Sequence, residues 1–403
     1  MVDQPSSKIE FALQFATALH RYGTPAHRLE DAMTVLSGVL GLQGQFFVTP
    51  TAIFASFMSD GHNETRMLRV SASELDLGKL SDLDALIGDL AQSRINVAEA
   101  QRRIDTILVQ PPPYGRVLAT VCYALTCGCA ARFFGGGAHE VVATLLIALS
   151  IGIGEMLVAF SRRLSALYAP LAATVVAFLA AWVATMWAPA SAYIITLGSL
   201  ITMMPGLTLT IGMKELATGH LASGTARLAG AFVVFATMGF GVAFGTRIGS
   251  YFFGPLVFIE PLMLPQWTEF IALVIAPFAL AVEMHAHRRF ALWIFGGCVL
   301  AFAAARFGAN LLGTELGVFA GATFLGLGSN VFSRISRNPS AIVLIPGMIM
   351  LVPGGMGFRG LSALLRGDVV SGVETLFLVT LVAIALVTGL LVANTLIPPR
   401  KAL

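Results

Sequence analysis

From Val117 to Ile397 the chain is a nearly unbroken succession of apolar stretches, and this one feature decides where it can fold. Ten can be marked off: Val117–Phe134, Val141–Phe160, Leu164–Trp187, Ala192–Met213, Leu228–Thr246, Trp267–Glu283, Phe290–Ala305, Leu316–Phe332, Ala341–Phe358 and Leu376–Ile397. A helix rises about 1.5 Å per residue, so about 20 apolar residues cross the hydrocarbon layer of a bilayer. The sixth, seventh and eighth stretches are short for that purpose. Only 12% of the residues are charged, about half the share of an ordinary soluble domain at about 25%. The expected fold is a polytopic α-helical membrane protein with about ten transmembrane helices.

Charge divides the chain. Residues 1–115 carry nine Lys and Arg against thirteen Asp and Glu, whereas residues 116–403 carry sixteen against nine. The opening residues, MVDQPSSKIEFALQ, lack a basic segment leading into an apolar one. The expectation is an amino terminus that stays in the cytoplasm of a bacterial cell, with the helices in the inner (plasma) membrane. With the amino terminus inside, eleven Lys and Arg of the membrane region fall on the cytoplasmic side and five on the other, as the positive-inside rule asks. Both termini are then cytoplasmic. Arg162-Arg163, Arg288-Arg289 and Arg334/Arg337 read as topology anchors rather than nucleic-acid contacts, so no nucleic-acid partner is expected.

The first 115 residues read as a small α/β domain. Ile9, Leu13, Ala16 and Leu19 recur at helical spacing, ended by Gly23, and Thr24-Pro25 opens a second helix that runs to Leu40. Phe46–Phe57 reads as one strand, Asp60-Gly61 as a turn, and Glu64–Val70 as the returning strand. Leu80–Val109 is helical, and Pro111-Pro112-Pro113 marks the junction with the membrane. His20, His27, Glu30 and Asp31 form a polar helix face or, alternatively, a catalytic cluster. No phosphate loop, zinc-protease helix or nucleophile elbow is present, so no enzyme activity is expected.

The membrane region repeats itself. PGLTLTIGMKELATGHLASGTARL at 205–228 and PGGMGFRGLSALLRGDVVSGVETL at 353–376 share eight of 24 positions without a gap. The first copy leaves the fourth stretch and the second leaves the ninth. Five spans is an odd number, so the copies face opposite sides of the bilayer. The expected architecture is two inverted five-helix repeats, residues 116–250 and 251–403. Inverted repeats with interrupted helices in matching positions mark the substrate site of many secondary transporters. A Pro-Gly inside a membrane helix frees backbone groups that only protein or a watery cavity can satisfy. The candidate substrate-binding residues are therefore Thr202, Pro205, Gly206, Thr208, Pro353 and Gly354, the other reading being a packing kink at each Pro-Gly. Glu155, a carboxylate within the second stretch, is the candidate for proton or ion coupling. Asn310 and Asn330 read as helix–helix contacts, and Glu283, His285 and His287 as solvated. Cys122, Cys127, Cys129 and Cys298 lie in apolar segments without metal-site spacing. No metal or cofactor is expected.

The run LHRYGTPAHRLEDAM…LGLQGQFFVTPTAIFASF, with the paired segments SLITMMPGLTLTIGMKEL and IVLIPGMIMLVPGGMGF, resembles the threonine/serine exporter family over nearly the whole chain. The resemblance implies export of threonine and serine from the cytoplasm, driven by the proton gradient. Split relatives are linked instead to succinate export, so a dicarboxylate is the alternative substrate. A membrane-anchored hydrolase and a passive channel are further alternatives. The expected partners are a small polar metabolite and the lipid bilayer; self-association stays open.

Overall fold

The computed structural model describes residues 5–59, 62–71, 75–158, 162–187, 190–256, 260–351, 354–365 and 367–400. The amino-terminal part begins with α1 (Pro5–Arg21) and α2 (Ala26–Leu40). Gly41 ends α2 in the left-handed conformation (φ 71°), with its amide on the Gly38 carbonyl and the Leu42 amide on the Ser37 carbonyl. Glycine takes this backbone at no steric cost. An antiparallel sheet follows in the order β1 (Gln43–Thr49), β2 (Ala52–Ser59), β3 (His62–Arg69). The run 46–57, expected as one strand, is a hairpin. Pro50 supplies no ladder amide, and the Thr49 hydroxyl lies 3.1 Å from both the amide and the carbonyl of Ala52. The expected turn at Asp60-Gly61 lies outside the described residues. Val48, Ile53, Ala55 and Phe57 share a core with Phe11, Phe15, Leu29 and Met33. The run 80–109 is likewise two helices, α3 (Leu77–Ala91) and α4 (Val97–Val109). Asp76 caps the first and Asn96 the second, through the amides of Lys79 (2.9 Å) and Glu99 (2.8 Å).

The membrane region comprises α5 (Arg116–Phe133), α6 (Ala138–Val158), α7 (Arg162–Met186), α8 (Ala192–Leu200), a 3-10 turn (Ile201–Met203), α9 (Gly206–Ala217) and α10 (Leu221–Phe253). It continues through α11 (Trp267–Glu283), a 3-10 turn (Arg288–Phe290), α12 (Ala291–Leu312), α13 (Thr314–Ser336), α14 (Ala341–Leu351), α15 (Gly354–Leu365) and α16 (Val369–Leu396). Among the described residues, seven helical segments are long and apolar enough to cross a membrane, or eight if the bent pair Ala192–Met203 and Gly206–Ala217 counts as one span. The expected ten is thus reduced to seven or eight by this measure. The two stretches that fall short are α5, 18 residues with Arg116 and Arg132 inside it, and α11, with 17 residues. They occupy the first place in each group of five.

The repeat read in the sequence has a structural counterpart. Helices α9 and α10 form a hairpin closed at Gly219 (φ 87°), and α15 and α16 one closed at Gly367 (φ 85°). A Cβ on Gly212 would lie 3.3 Å from the Gly224 carbonyl; one on Gly360 would lie 3.3 Å from the Gly372 carbonyl. The likeness extends beyond the matching sequence. A Cβ on Gly241 of α10 would meet the Pro170 carbonyl at 2.4 Å and Ala173 at 3.1 Å; one on Gly389 of α16 would meet the Phe319 carbonyl at 2.5 Å and Ala322 at 2.9 Å. Small residues let helix backbones approach this closely where lipid supplies no hydrophobic drive for association.

The amino-terminal part docks on the membrane helices through α3. The Leu77 amide donates to the Met284 carbonyl (2.9 Å), Ser81 to Asn338 (2.9 Å), and the Tyr114 hydroxyl to the Ala286 carbonyl (2.9 Å). Asp84 is 4% exposed, has one unpartnered oxygen, and its other oxygen is 3.7 Å from Arg400. Burial pushes its carboxyl up to about 6, with Arg400 opposing. The unfolded chain ionises this group near pH ~4. Its contribution to stability is therefore fully present below that pH and is lost as pH rises through about 6. Asp84→Asn is expected to raise the stability of the purified chain at pH 8 by roughly 2 kcal/mol. It should also flatten the thermal midpoint between pH 4 and 7; a variant that tracks the parent chain across this range refutes the assignment.

Candidate functional site

The break after α8 is set by local chemistry. The 3-10 turn ends at Met204, Pro205 adopts φ −78°, ψ 39° ahead of α9, and the two halves are bent by 53°. Proline cannot donate to the preceding turn, and the first amides of α9 are left without intrahelical partners, as at any helix start. Thr202 lies in the turn, half-buried. Thr208 is half-buried on α9, while Thr210 is fully buried and bonds back to the Gly206 carbonyl (3.1 Å). In the second group, Gly354 opens α15, whereas Pro353 lies outside the described residues.

The segments that follow the two Pro-Gly pairs, α9 and α15, each pack against the opposite group. Leu207 of α9 packs against the core that holds Ile342, Val343, Ile345 and Met348 of α14. Phe358 of α15, 1% exposed, belongs to the core of the first group, with Leu197, Leu200 and Phe235. Helix α9 also packs on α16, and α10 on α15. Each group therefore packs one segment, α9 or α15, against helices of the other.

Beside the first break, α5 supplies polar side chains. Cys127 Sγ lies 3.8 Å from both the Ser199 carbonyl and the Thr202 hydroxyl. One residue earlier, Thr126 Oγ1 lies 3.3 Å from Glu283 Oε2 of α11. Glu283 is half-buried rather than solvated as the sequence suggested. Its position near the end of an apolar stretch gave no sign that α5 folds against it. Glu155 is exposed on α6 and makes no hydrogen bond or ion pair among the described residues, yet lies within electrostatic range of Glu283 and Tyr123. At the other end of the α5–α11 pair, buried Arg132 bonds Thr268 (2.6 Å) and faces Glu269 (3.5 Å), which also holds Arg306 (2.7 Å). Helices α5 and α11 therefore run antiparallel, with Arg132 beside the start of α11 and Thr126 beside its end.

A second polar cluster joins the amino-terminal part to the α9–α10 hairpin. Glu215 is fully buried and accepts from the Ala26 amide (2.9 Å), the Ser223 hydroxyl (2.7 Å) and Arg227 Nε (3.0 Å). Glu30 accepts from the Val48 amide (2.8 Å) and lies 3.1 Å from His220 Nε2. Burial, with Lys214 and Arg28 nearby, pushes the His27 imidazole down to about 2. Both His27 ring nitrogens are buried and unpartnered, so the ring bonds neither Glu30 nor Asp31.

Comparison with known proteins now bears on this arrangement. The family model described as "Putative threonine/serine exporter" matches residues 10–249, and a second, described as "Threonine/Serine exporter, ThrE", matches residues 269–396. The chain belongs to the threonine/serine exporter family. Curated relatives of this exporter-family chain include "Pheromone-regulated membrane protein 10" of Eremothecium gossypii, 26% identical over 87% of this chain and 48% of its own length. The protein of the same name in Debaryomyces hansenii is 26% identical over 89% of this chain and 36% of its own length. "Uncharacterized protein C7D4.12c" of Schizosaccharomyces pombe is 24% identical over 87% and 48%. The chain spans about half the length of these relatives or less. They are yeast proteins, so the expected bacterial inner membrane gains no support from them; what stands is a membrane protein. No solved structure matches the chain.

Proposed function

We propose that this member of the exporter family is a secondary transporter that moves threonine, serine or a similar small amino acid out of the cytoplasm, coupled to protons. The reciprocal packing of α9 and α15 against the opposite groups carries the reading. A substrate held where α9 and α15 begin would touch both groups, and rocking one group against the other would expose it alternately. The antiparallel run of α5 and α11, the first helices of the two groups, supports an inverted relation between residues 116–250 and 251–403 as two five-helix halves. We place both termini on the cytoplasmic side, following the arginine distribution.

Within this reading, Thr202 and Thr208 offer hydroxyls, and the amides of Leu207 and Thr208 in the first turn of α9 suit a carboxylate. Glu283, beside Thr126, suits the ammonium, and Glu155 the coupling proton. The competing substrate is a dicarboxylate such as succinate, which has no ammonium for Glu283 to hold. Efflux from proteoliposomes loaded with labelled threonine, serine or succinate tests both. Pro205→Ala and Gly354→Leu should each lower threonine efflux at least tenfold while the chain still inserts. Parental flux in both variants removes the broken helices from the site. Glu283→Gln should lower threonine efflux and leave succinate flux alone if an amino acid is the substrate. Uphill efflux that survives an uncoupler contradicts proton coupling.

A further inference from the structure

The junction between α2 and the α9–α10 hairpin carries more positive charge than it pairs. Lys214 is 9% exposed, and its ammonium makes no hydrogen bond or ion pair among the described residues. The half-buried Arg28 guanidinium likewise makes none. Between them stands His27, both ring nitrogens buried and unpartnered, with its ring 5.9 Å from that of His220. Glu215 and Asp31 lie close enough to attract these cations, but neither pairs with them. Glu215 already holds Arg227, Ser223 and the Ala26 amide, and Glu30 holds His220 and the Val48 amide. Asp31, one turn along α2 from Arg28, is exposed and attracts the guanidinium without forming an ion pair with it. A buried cation without a counter-charge is strongly disfavoured. One buried and one half-buried cation, from different parts of the chain and beside an unsatisfied imidazole, make a place that favours a further anion.

We propose that this junction is a binding site for a small oxyanion, a carboxylate or a phosphate, gripped by Arg28 from the amino-terminal part and Lys214 from α9, with His27 as a neutral donor. Arginine offers a planar fork and lysine a point charge, a pairing that suits an oxyanion bridging two elements. The site lies two helical turns from the break at Pro205 and does not depend on the transport reading. Occupancy would tie the amino-terminal part to the hairpin that carries the broken helix.

The test uses the purified full-length chain in detergent, titrated with inorganic phosphate, acetate, succinate or threonine against sodium chloride of matched ionic strength, with thermal midpoint and calorimetric binding as readouts. At least one oxyanion should raise the midpoint saturably beyond chloride. Response to phosphate alone assigns a phosphoryl group, and response to acetate, succinate or threonine assigns a carboxylate. Lys214→Gln and Arg28→Gln should each weaken that binding at least tenfold, and Lys214→Arg should retain it. Lys214→Gln should also raise the midpoint without added anion, because it removes an uncompensated cation. A parent chain on which no oxyanion exceeds chloride overturns the proposal, as does a Lys214→Gln variant that loses midpoint without anion and binds as the parent does.

Discussion

Glu215→Ala is expected to destabilise the chain by about 3–5 kcal/mol, the usual result of removing one partner from a buried charge pair. The carboxylate is fully buried and satisfies three donors from three places: Ala26 at the start of α2, Ser223 on the first turn of α10, and Arg227 one turn further on. Alanine would leave the Arg227 guanidinium, only 17% exposed, facing a cavity, and the Ala26 amide unpaired. The first turn of α2 has no side-chain cap of its own, so Glu215 does that work from the membrane side. The amino-terminal part should therefore loosen before the helical bundle melts. Limited proteolysis within residues 20–45 should quicken at least tenfold, and the thermal midpoint should fall. Replacing Glu215 and Arg227 together by leucine should restore part of the loss, since no orphaned charge remains. A single Glu215→Ala variant within about 0.5 kcal/mol of the parent, the range of an ordinary surface change, would show that the contact carries no docking energy.

Much of the architecture could be read from the residues because its signals are periodic and local. Apolar length announced the helices, and Pro-Gly announced the break at Pro205. The matched 24-residue segments announced a repeated unit, and in both places that unit is a hairpin closed by a left-handed glycine, at 219 or 367. What escaped was whatever depends on one element meeting another. Glu283 looked solvated because it ends an apolar stretch; only the antiparallel approach of α5 puts Thr126 beside it. Glu155 looked enclosed because its neighbours in sequence are apolar, yet it faces outward on α6. Lys214 and Glu215 follow a Pro-Gly with no local sign of burial, and the docking of α2 buries both. The likeness of Ala131-Arg132-Phe133 to Ala305-Arg306-Phe307 fits no repeat offset. Its arginines nonetheless converge on Glu269, so a shared acid rather than an equivalent place in the fold relates them.

The closest helix contacts give a second large effect, and one that asks whether the two groups of helices are built alike. Gly241→Ala would push a methyl to 2.4 Å from the Pro170 carbonyl, and Gly389→Ala to 2.5 Å from the Phe319 carbonyl. Both obstacles are backbone, so neither can rotate away; a helix must shift, at about 1–3 kcal/mol each, the range for overpacked cores. The two losses should agree, because α7 meets α10 as α13 meets α16, with Ala173 and Ala322 as the second neighbours. Gly230 on α10 and Gly296 on α12 provide the controls, since a methyl there meets nothing within 4 Å. Alanine at these two positions should gain up to about 1 kcal/mol from helix propensity alone. Thermal midpoints of the four purified variants decide the matter. If Gly241→Ala is as harmless as Gly230→Ala, α10 does not lie against α7 as described. If only one of Gly241→Ala and Gly389→Ala is costly, the two groups share a sequence pattern but not a packing plan, and the support for rocking halves fails with it.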